Sequence, residues 1–267
     1  MLGAQRKTHL LEILARDGRV VAKDVAAELA LSEDSIRRDL RELADEGKVI
    51  RVYGGALPVP AADRPVDERS DLATASKERV ARRAADGIRS GSTIVLDAGT
   101  TTLALARLLP SGADLTVITP SPAIALAVAA HSDARVVMIG GELSRHSMVA
   151  GGALAMEAIR HLAADTFYLG ATGIHPEHGL TTGSLDDAVT KRAIAERCAE
   201  TVVLASEEKI GAVSRYRVLP LDEVTAVVVD TQDNTTTARL RERGVTVHDA
   251  SPASTKPRTD TRPLRTS

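Results

Sequence analysis

The sequence predicts an α/β protein in which a small helical unit precedes a larger unit with a mostly parallel sheet. Three observations carry this. Before residue 58 the apolar residues recur at helical spacing, and after about residue 74 they do not. From there, short runs rich in β-branched residues, at 93–96, 116–119, 136–139, 166–169, 201–204, 225–229 and 245–247, alternate with alanine-rich stretches. That is the pattern of βαβ units whose sheet is covered on both faces. Between the two patterns, residues 57–69 read LPVPAADRPVDER, with three prolines. Proline blocks helix interiors and favours extended chain, so this stretch reads as a linker.

Composition excludes several classes of function. A chain of 267 residues holds one large domain or two. Lys and Arg number 34 against 36 Asp and Glu, a net charge of −2, which excludes binding to nucleic acid through bulk charge. The 43% hydrophobic and 26% charged fractions exclude a long disordered chain. Aromatics make up 1% and Trp is lacking, which excludes base stacking as the main mode of contact. The lone Cys198 excludes a disulfide framework and a cysteine-based zinc site, and fits a reducing cytoplasm. The longest apolar run, 123–130, is too short to span a bilayer, and the first residues have no secretory pattern. The expectation is a cytoplasmic protein with no membrane partner.

The first unit, residues 1–57, reads as a winged helix-turn-helix. A helix over 6–15 turns Leu10, Ile13 and Leu14 inward, Val20 and Val21 form a short strand, and a second helix over 23–29 buries Val25, Ala26 and Leu29. Ala30-Leu31-Ser32 is a tight turn. Ser32 is placed to cap the third helix, whose positive end suits Glu33 and Asp34. That helix ends at Gly47 and buries Ile36, Leu40 and Leu43, leaving Arg38 and Arg41 on the opposite face and Arg37 on its flank. A second helix after a short turn, with outward arginines near its start, is the geometry that enters a major groove. Arginine pairs bidentately with guanine or phosphate. Residues 48–55, with Arg51, read as a hairpin, the wing. Ten basic and ten acidic residues in this unit cancel, so recognition rests on local placement, and a merely solvated arginine face stands as the alternative.

The second unit, residues 73–250, reads as a sugar-phosphate sensor. Its first strand runs into Asp97-Ala98-Gly99-Thr100-Thr101-Thr102. Gly99 permits a tight turn, and free N–H groups with threonine hydroxyls suit a phosphate. Asp97 at the strand's carboxyl edge suits sugar hydroxyls instead, so a ligand with both ends satisfies both; helix capping alone is the alternative. Small-residue loops at 119–121, at Gly140-Gly141-Glu142, at 170–173 and at 208–211 follow other strands and suggest one shared crevice. Lys209 supplies a positive charge there, or is solvated. No second carboxylate is expected beside Asp97. Arg145-His146 reads as loop surface, with reach into the crevice as the alternative, His175 and His178 lie beside Pro176 without metal-binding spacing, and Cys198 reads as a buried helical residue. Residues 58–72 read as linker. Residues 251–267, with Lys256, Arg258, Arg262 and Arg265 against Asp260, read as a disordered basic tail.

The stretch VAAELALSEDSIRRDLRELADEGKVIRVYGGA closely resembles the helix-turn-helix signature of DeoR-type bacterial transcription regulators. Ser32, Ser35, Ile36, Arg37, Arg38, Asp39 and Leu40 match its core, and Arg51, Gly54, Gly55 and Ala56 match its wing. Ala30 stands where the family usually has Gly, Leu29 where it often has Phe and Ser35 where it has Thr. Residues 68–230 resemble the family's effector domain at Lys77-Glu78, Asp97-x-Gly99-Thr100-Thr101, Gly140-Gly141-Glu142, Gly151, Phe167-x-x-Gly170-x-x-Gly173-Ile174 and Gly179-Leu180-Thr181. Two departures stand out. Ser206-Glu207-Glu208-Lys209 replaces the common Asp-x-Ser-Lys, and Pro120 replaces an Asn. The resemblance implies a Rossmann-like α/β effector domain related to pentose-phosphate isomerases. It implies a repressor of carbohydrate or polyol genes that binds double-stranded operator DNA and is relieved by a phosphorylated sugar. Ser32, Ser35, Arg37, Arg38, Arg41 and Arg51 are then the expected DNA-binding residues. Asp97, Gly99, Thr100, Thr101, Thr102, Gly140, Gly141 and Lys209 are the expected effector residues. Neither a metal nor another cofactor is expected. A homo-oligomer is, because two modules on paired half-sites bind more tightly than one. The rival expectation is a sugar-phosphate isomerase with an appended N-terminal unit.

Overall fold

The computed structural model describes residues 3–63, 68–69, 71–231 and 234–251. Its first helix, α1 (Gly3–Asp17), extends beyond the expected span at both ends and buries Leu10, Ile13 and Leu14. Strand β1 (Val20–Val21), helix α2 (Ala22–Glu28) and helix α3 (Glu33–Asp45) follow, then the hairpin of β2 (Val49–Val52) and β3 (Gly55–Pro58). The stripe Ile36, Leu40 and Leu43 on α3 packs on Leu10, Ile13 and Val25. β1 joins the hairpin to make a three-stranded sheet, order β1-β3-β2. Gly55 is required there, because a Cβ would lie 1.8 Å from the carbonyl oxygen of Val20.

Both helices that flank the turn end alike. After α2, Leu31 N donates to Ala26 O at 2.9 Å and Ala30 N to Ala27 O at 3.3 Å. After α3, Lys48 N donates to Leu43 O at 2.9 Å and Gly47 N to Ala44 O at 3.0 Å. This is the Schellman arrangement, which places the residue after the cap in the left-handed region. Gly47 takes it at φ 72°, and Ala30 takes it at φ 51° despite its Cβ.

The second unit runs α4 (Thr74–Ala85), β4 (Thr93–Leu96), α5 (Thr100–Ala106), β5 (Thr116–Thr119), α6 (Pro122–His131), β6 (Arg135–Met138), β7 (Glu142–Ser144), β8 (Val149–Gly151) and α7 (Gly152–Arg160). It continues with β9 (Ala164–Gly170), β10 (Gly173–His175), β11 (Gly179–Thr182), α8 (Leu185–Ala195), β12 (Cys198–Ala205), β13 (Tyr216–Arg217), β14 (Ala226–Val229), α9 (Asn234–Glu242) and β15 (Thr246–Asp249). Seven strands form one parallel sheet in the order β15-β14-β12-β9-β4-β5-β6. Each of the second unit's seven β-branched runs overlaps one of its strands. Neighbouring residues face opposite layers. Val95, Phe167, Leu169, Val203 and Val227 pack with Ala155, Ile159, Ala188 and Leu240. Ile94, Leu96, Tyr168, Leu204 and Val228 pack with Val80, Leu105 and Val128.

The chain crosses from β4 to β5 and β6 on one side, then returns to β9 on the other. The carboxyl ends of β4 and β9 therefore diverge at a topological switch point, where open α/β sheets bind ligands. Two small antiparallel pieces, β7-β8 and β10-β11-β13, are added to the main sheet.

Two expectations are corrected. Cys198 is not helical: it opens β12 opposite Ala164 of β9 and is half-buried, with burial pushing its thiol up to about 12. The first part of the linker is docked: Ala61–Asp63 is a 3₁₀ turn, and Ser214 Oγ donates to Asp63 Oδ2 at 2.6 Å. The basic tail from residue 252 onward lies outside the described residues. No helix among the described residues is long and apolar enough to cross a membrane.

Candidate functional site

The first candidate surface is α3 with the wing. Ser32 Oγ accepts from Ser35 N at 3.3 Å and starts α3, a cap that contributes about 1 kcal/mol. Ser35 is half-buried, and its hydroxyl lies 3.0 Å from that of Ser32. Arg37, Arg38, Arg41 and Arg51 are all exposed. Arg37 pairs along its own helix with Glu33 at 2.6 Å and with Asp34 at 3.7 Å. Arg38, Arg41 and Arg51 form no ion pair with the described residues, so their guanidinium groups face solvent uncommitted. The motif's aspartate does something different. Asp39 is buried and accepts from Arg6 Nε and, at 2.9 Å, from Arg6 Nη2, which clamps α1 to the back of α3. Tyr53, at the turn of the wing, is fully exposed. The sequence reading passed over it, although an aromatic placed before Gly54-Gly55 has no core to enter.

The second candidate lies at the switch point. A cavity of about 50 Å³ is lined by Ala98, Gly99, Thr101 and Thr102 after β4, Gly170–Thr172 after β9, and Thr182–Ser184 before α8. Asp187 and Lys191 of α8, Lys209, His146 and Ser147 line it too, as do Ala62, Asp63 and Arg69 from the linker. It shares Ser147, Ser184 and Asp187 with an adjoining groove of about 220 Å³.

The expected effector residues fall into three groups. Gly99, Thr101, Thr102 and Lys209 line the cavity; Gly99 has φ 139°, which favours glycine. Thr102 Oγ1 donates to Gly99 O at 2.9 Å. Asp97 lies under the floor, where its Oδ2 accepts from Gly170 N at 2.9 Å and from Lys191 Nζ. Thr100, Gly140 and Gly141 do not line the cavity. Gly140 and Gly141 sit exposed between β6 and β7, where a Cβ on Gly141 would lie 2.3 Å from Gly151 O.

A second carboxylate does stand by Asp97, contrary to expectation. Lys191 bridges Asp97 and, at 3.3 Å, Asp187, whose Oδ2 accepts from Thr182 Oγ1 at 2.6 Å. Burial works against the Lys191 charge, but the two carboxylates outweigh it and hold its pKa above the ordinary value. Lys209 is also buried rather than solvated, yet it has no carboxylate within ion-pair distance among the described residues. Its Nζ donates to Thr101 Oγ1 at 3.1 Å. Burial pushes it down to about 8; Glu208 opposes this, and Arg69, Lys77 and Lys191 add to it. Arg69, half-buried, is the second cation with no ion pair among the described residues: its Nε is buried and unpartnered, and burial disfavours its charge while Asp187, Asp63, Asp97 and Glu208 support it.

The departure at 206–209 leaves Lys209 in place. Hydroxyl and carboxylate have exchanged positions, and Ser206 Oγ donates to Glu208 Oε1 at 2.7 Å. The carbonyl of Pro120 accepts from Ala150 N at 2.8 Å, tying β8 to the sheet. Sequence reading missed Arg69 and Asp63, which composition labels as linker, and Lys191. The signal for Lys191 was present, since it occupies the buried stripe of α8 with Ala188 and Ile194. His146 lines the cavity, the alternative to the loop surface that its position favoured. His175, Glu177 and His178 bring one ligand atom each within 4.8 Å of one another. Glu177 there pairs with Arg239 at 2.7 Å, and His175 Nδ1 accepts from Glu177 N at 3.1 Å.

Comparison with known proteins matches two family models. Residues 6–59 match the DeoR-like helix-turn-helix domain, and residues 72–231 match the DeoR C-terminal sensor domain. The chain is similar to the HTH-type transcriptional regulator GlpR of Haloferax volcanii, 33% identical over 93% of this chain and 98% of that one. It is 32% identical to the glycerol-3-phosphate regulon repressor of Escherichia coli K12, over 86% of this chain and 92% of that one. The HTH-type transcriptional repressor GlcR of Bacillus subtilis is 29% identical over 91% and 94%.

Proposed function

The chain belongs to the DeoR family of transcriptional regulators, and from that premise we propose that it represses genes of carbohydrate or polyol metabolism until a small phosphorylated polyol or sugar binds the switch-point cavity. It is a DNA-binding repressor and not an isomerase, in keeping with the regulators it resembles. The observation that carries the effector reading is the pairing pattern in the cavity. Lys191 is paired with Asp97 and Asp187, whereas Lys209 and Arg69 have no carboxylate within ion-pair distance among the described residues, although Glu208 acts on both and Asp63 and Asp187 act on Arg69. Cations at a cavity that form no direct ion pair favour an anion that enters it. Thr101 and Thr102 add hydroxyls beside them.

Size narrows the ligand. A water needs roughly 10–15 Å³ of such space, so about 50 Å³ accommodates a phosphate and a few further atoms, with the rest of the ligand reaching into the adjoining groove. A short polyol phosphate fits better than a long one, and the E. coli relative's name points to glycerol phosphate chemistry. On the DNA side, Arg38, Arg41 and Arg51 make the base and phosphate contacts, Arg37 joins them after leaving Glu33, and Tyr53 enters with the wing. The protein acts in the cytoplasm as a homo-oligomer on paired half-sites.

The test has two steps. Full-length protein selects duplexes from sheared genomic DNA of its source, and the bound duplex is then titrated in the presence of glycerol 3-phosphate, ribose 5-phosphate, fructose 1-phosphate and glucose 6-phosphate. At least one phosphate should lower DNA affinity, and the unphosphorylated parent should not. Sedimentation should show a dimer or larger species. Selection of no duplex, or selection with indifference to every phosphate, overturns the reading.

A further inference from the structure

We infer that the linker is itself part of the effector site: Arg69 grips the phosphate beside Lys209, and Asp63 holds a hydroxyl of the same ligand. This rests on the reading of the cavity given above. The two residues precede α4, in a stretch whose composition marks it as a mere connection, yet both line the cavity. Each offers a bare buried atom of the opposite kind. Arg69 Nε is a donor without an acceptor, and Asp63 Oδ1 is an acceptor without a donor. Folded proteins leave few such atoms bare, and those that remain at a cavity mark where a partner is missing. A phosphate supplies the acceptor and a sugar or polyol hydroxyl supplies the donor, so one bifunctional ligand satisfies both.

Both residues are held ready. Lys77 Nζ donates to the carbonyl oxygen of Arg69 at 2.6 Å, fixing the backbone while the guanidinium Nε stays unpartnered. Ser214 Oγ holds Asp63 Oδ2 at 2.6 Å and turns Oδ1 away from itself. Asp63 fits against the α8 entry because residue 183 is glycine: a Cβ there would lie 2.3 Å from Asp63 Oδ1.

The position has a regulatory consequence. β3, the last strand of the wing, ends at Pro58, and Asp63 stands a few residues further on. A ligand bonded to Asp63 acts directly on the chain that leaves the DNA-binding unit. That gives it the differential contact it needs to favour one state over another.

Calorimetry on the full-length chain tests this, with inorganic phosphate and the tightest binder of the four organic phosphates as probes. Lys209→Gln should abolish binding of both. Arg69→Gln should weaken both by about tenfold or more, the loss expected for one charge-assisted contact, and Arg69→Lys by less. Asp63→Asn should weaken the organic phosphate and spare inorganic phosphate, a discrimination that general damage to the fold would not produce. Ligand-free Arg69→Gln should melt at or above the wild-type temperature, because it removes a buried unpaired donor; a lower melting temperature makes Arg69 structural and overturns the inference. If the wild type binds none of the probes, the cavity reading fails and takes this one with it. If Lys209→Gln loses binding while the Arg69 and Asp63 variants bind as wild type, the cavity reading stands and the linker's part in it is refuted.

Discussion

Ala30 is the clearest strained residue in the DNA-binding unit. It is exposed, so its methyl group packs nothing, and it sits at φ 51° where the equivalent position after α3 is Gly47. A left-handed L-residue costs roughly 1–2 kcal/mol, and glycine's greater freedom in the unfolded chain costs back roughly 0.4–1. Ala30→Gly should therefore stabilise this unit by about 0.5–1 kcal/mol, read as a higher urea midpoint; a lower midpoint would contradict the Schellman assignment. Asp39 gives the opposite prediction. Its matched motif position suggests DNA contact, but its carboxylate is buried on Arg6. Asp39→Ala should cost about 1.5–3 kcal/mol of stability, the range for hydrogen bonds to a charged group. At temperatures where the variant remains folded, its DNA affinity should be close to wild type. A variant of unchanged stability and lost DNA binding would move Asp39 to the interface.

At the scale of elements, the sheet was legible because inner strands such as β4, β5 and β14 bury both faces and so read as continuous β-branched runs. Helices α1 to α3 were legible from their stripes and from Ser32. What was hidden depends on contacts between distant segments. Cys198 reads as helical because it follows an alanine-rich helical stretch and carries no strand pattern, and only pairing with Ala164 of β9 draws it into the sheet. The docking of Ala61–Asp63 depends on Ser214, 151 positions away, and no local pattern reports it. The arginines of α3 belong to this scale as well. An exposed i,i+4 pair is worth only about 0.3–0.5 kcal/mol, well below the roughly 1–3 kcal/mol of a base or phosphate contact. Arg37 thus pays little to leave Glu33. Arg37→Ala, Arg38→Ala and Arg41→Ala should each weaken binding to the selected duplex by about 1–3 kcal/mol, Arg37 slightly the least, with unchanged melting and a shallower salt dependence. Normal affinity in the Arg38 and Arg41 variants together would remove α3 from the groove.

At the scale of the whole molecule, effector binding and proton binding are linked through Lys209. The charged groups facing it are Glu208 beside it, Arg69 from the linker, Lys77 of α4 and Lys191 of α8. Free Lys209 titrates at about 8 because burial and the surrounding cations disfavour its charge. A bound phosphate reverses that balance and raises its pKa above the free value. Below about pH 8 the ammonium is present in both states, and Lys209 adds no pH dependence. As pH rises through 8 the free protein loses the proton that the complex keeps, so binding must take one up and affinity falls. The limiting slope for one group is about tenfold per pH unit. The phosphate itself is a dianion throughout, with its second pKa near 6, so the fall belongs to the protein. Calorimetry between pH 7 and about pH 9.5 should show a plateau that breaks downward near 8, with uptake of up to one proton on the falling limb. Arg69→Lys keeps a cation beside Lys209 and should retain the break. A profile that is flat, or that rises with pH, would mean that Lys209 does not meet the phosphate, and would place the ligand's charge elsewhere in the crevice.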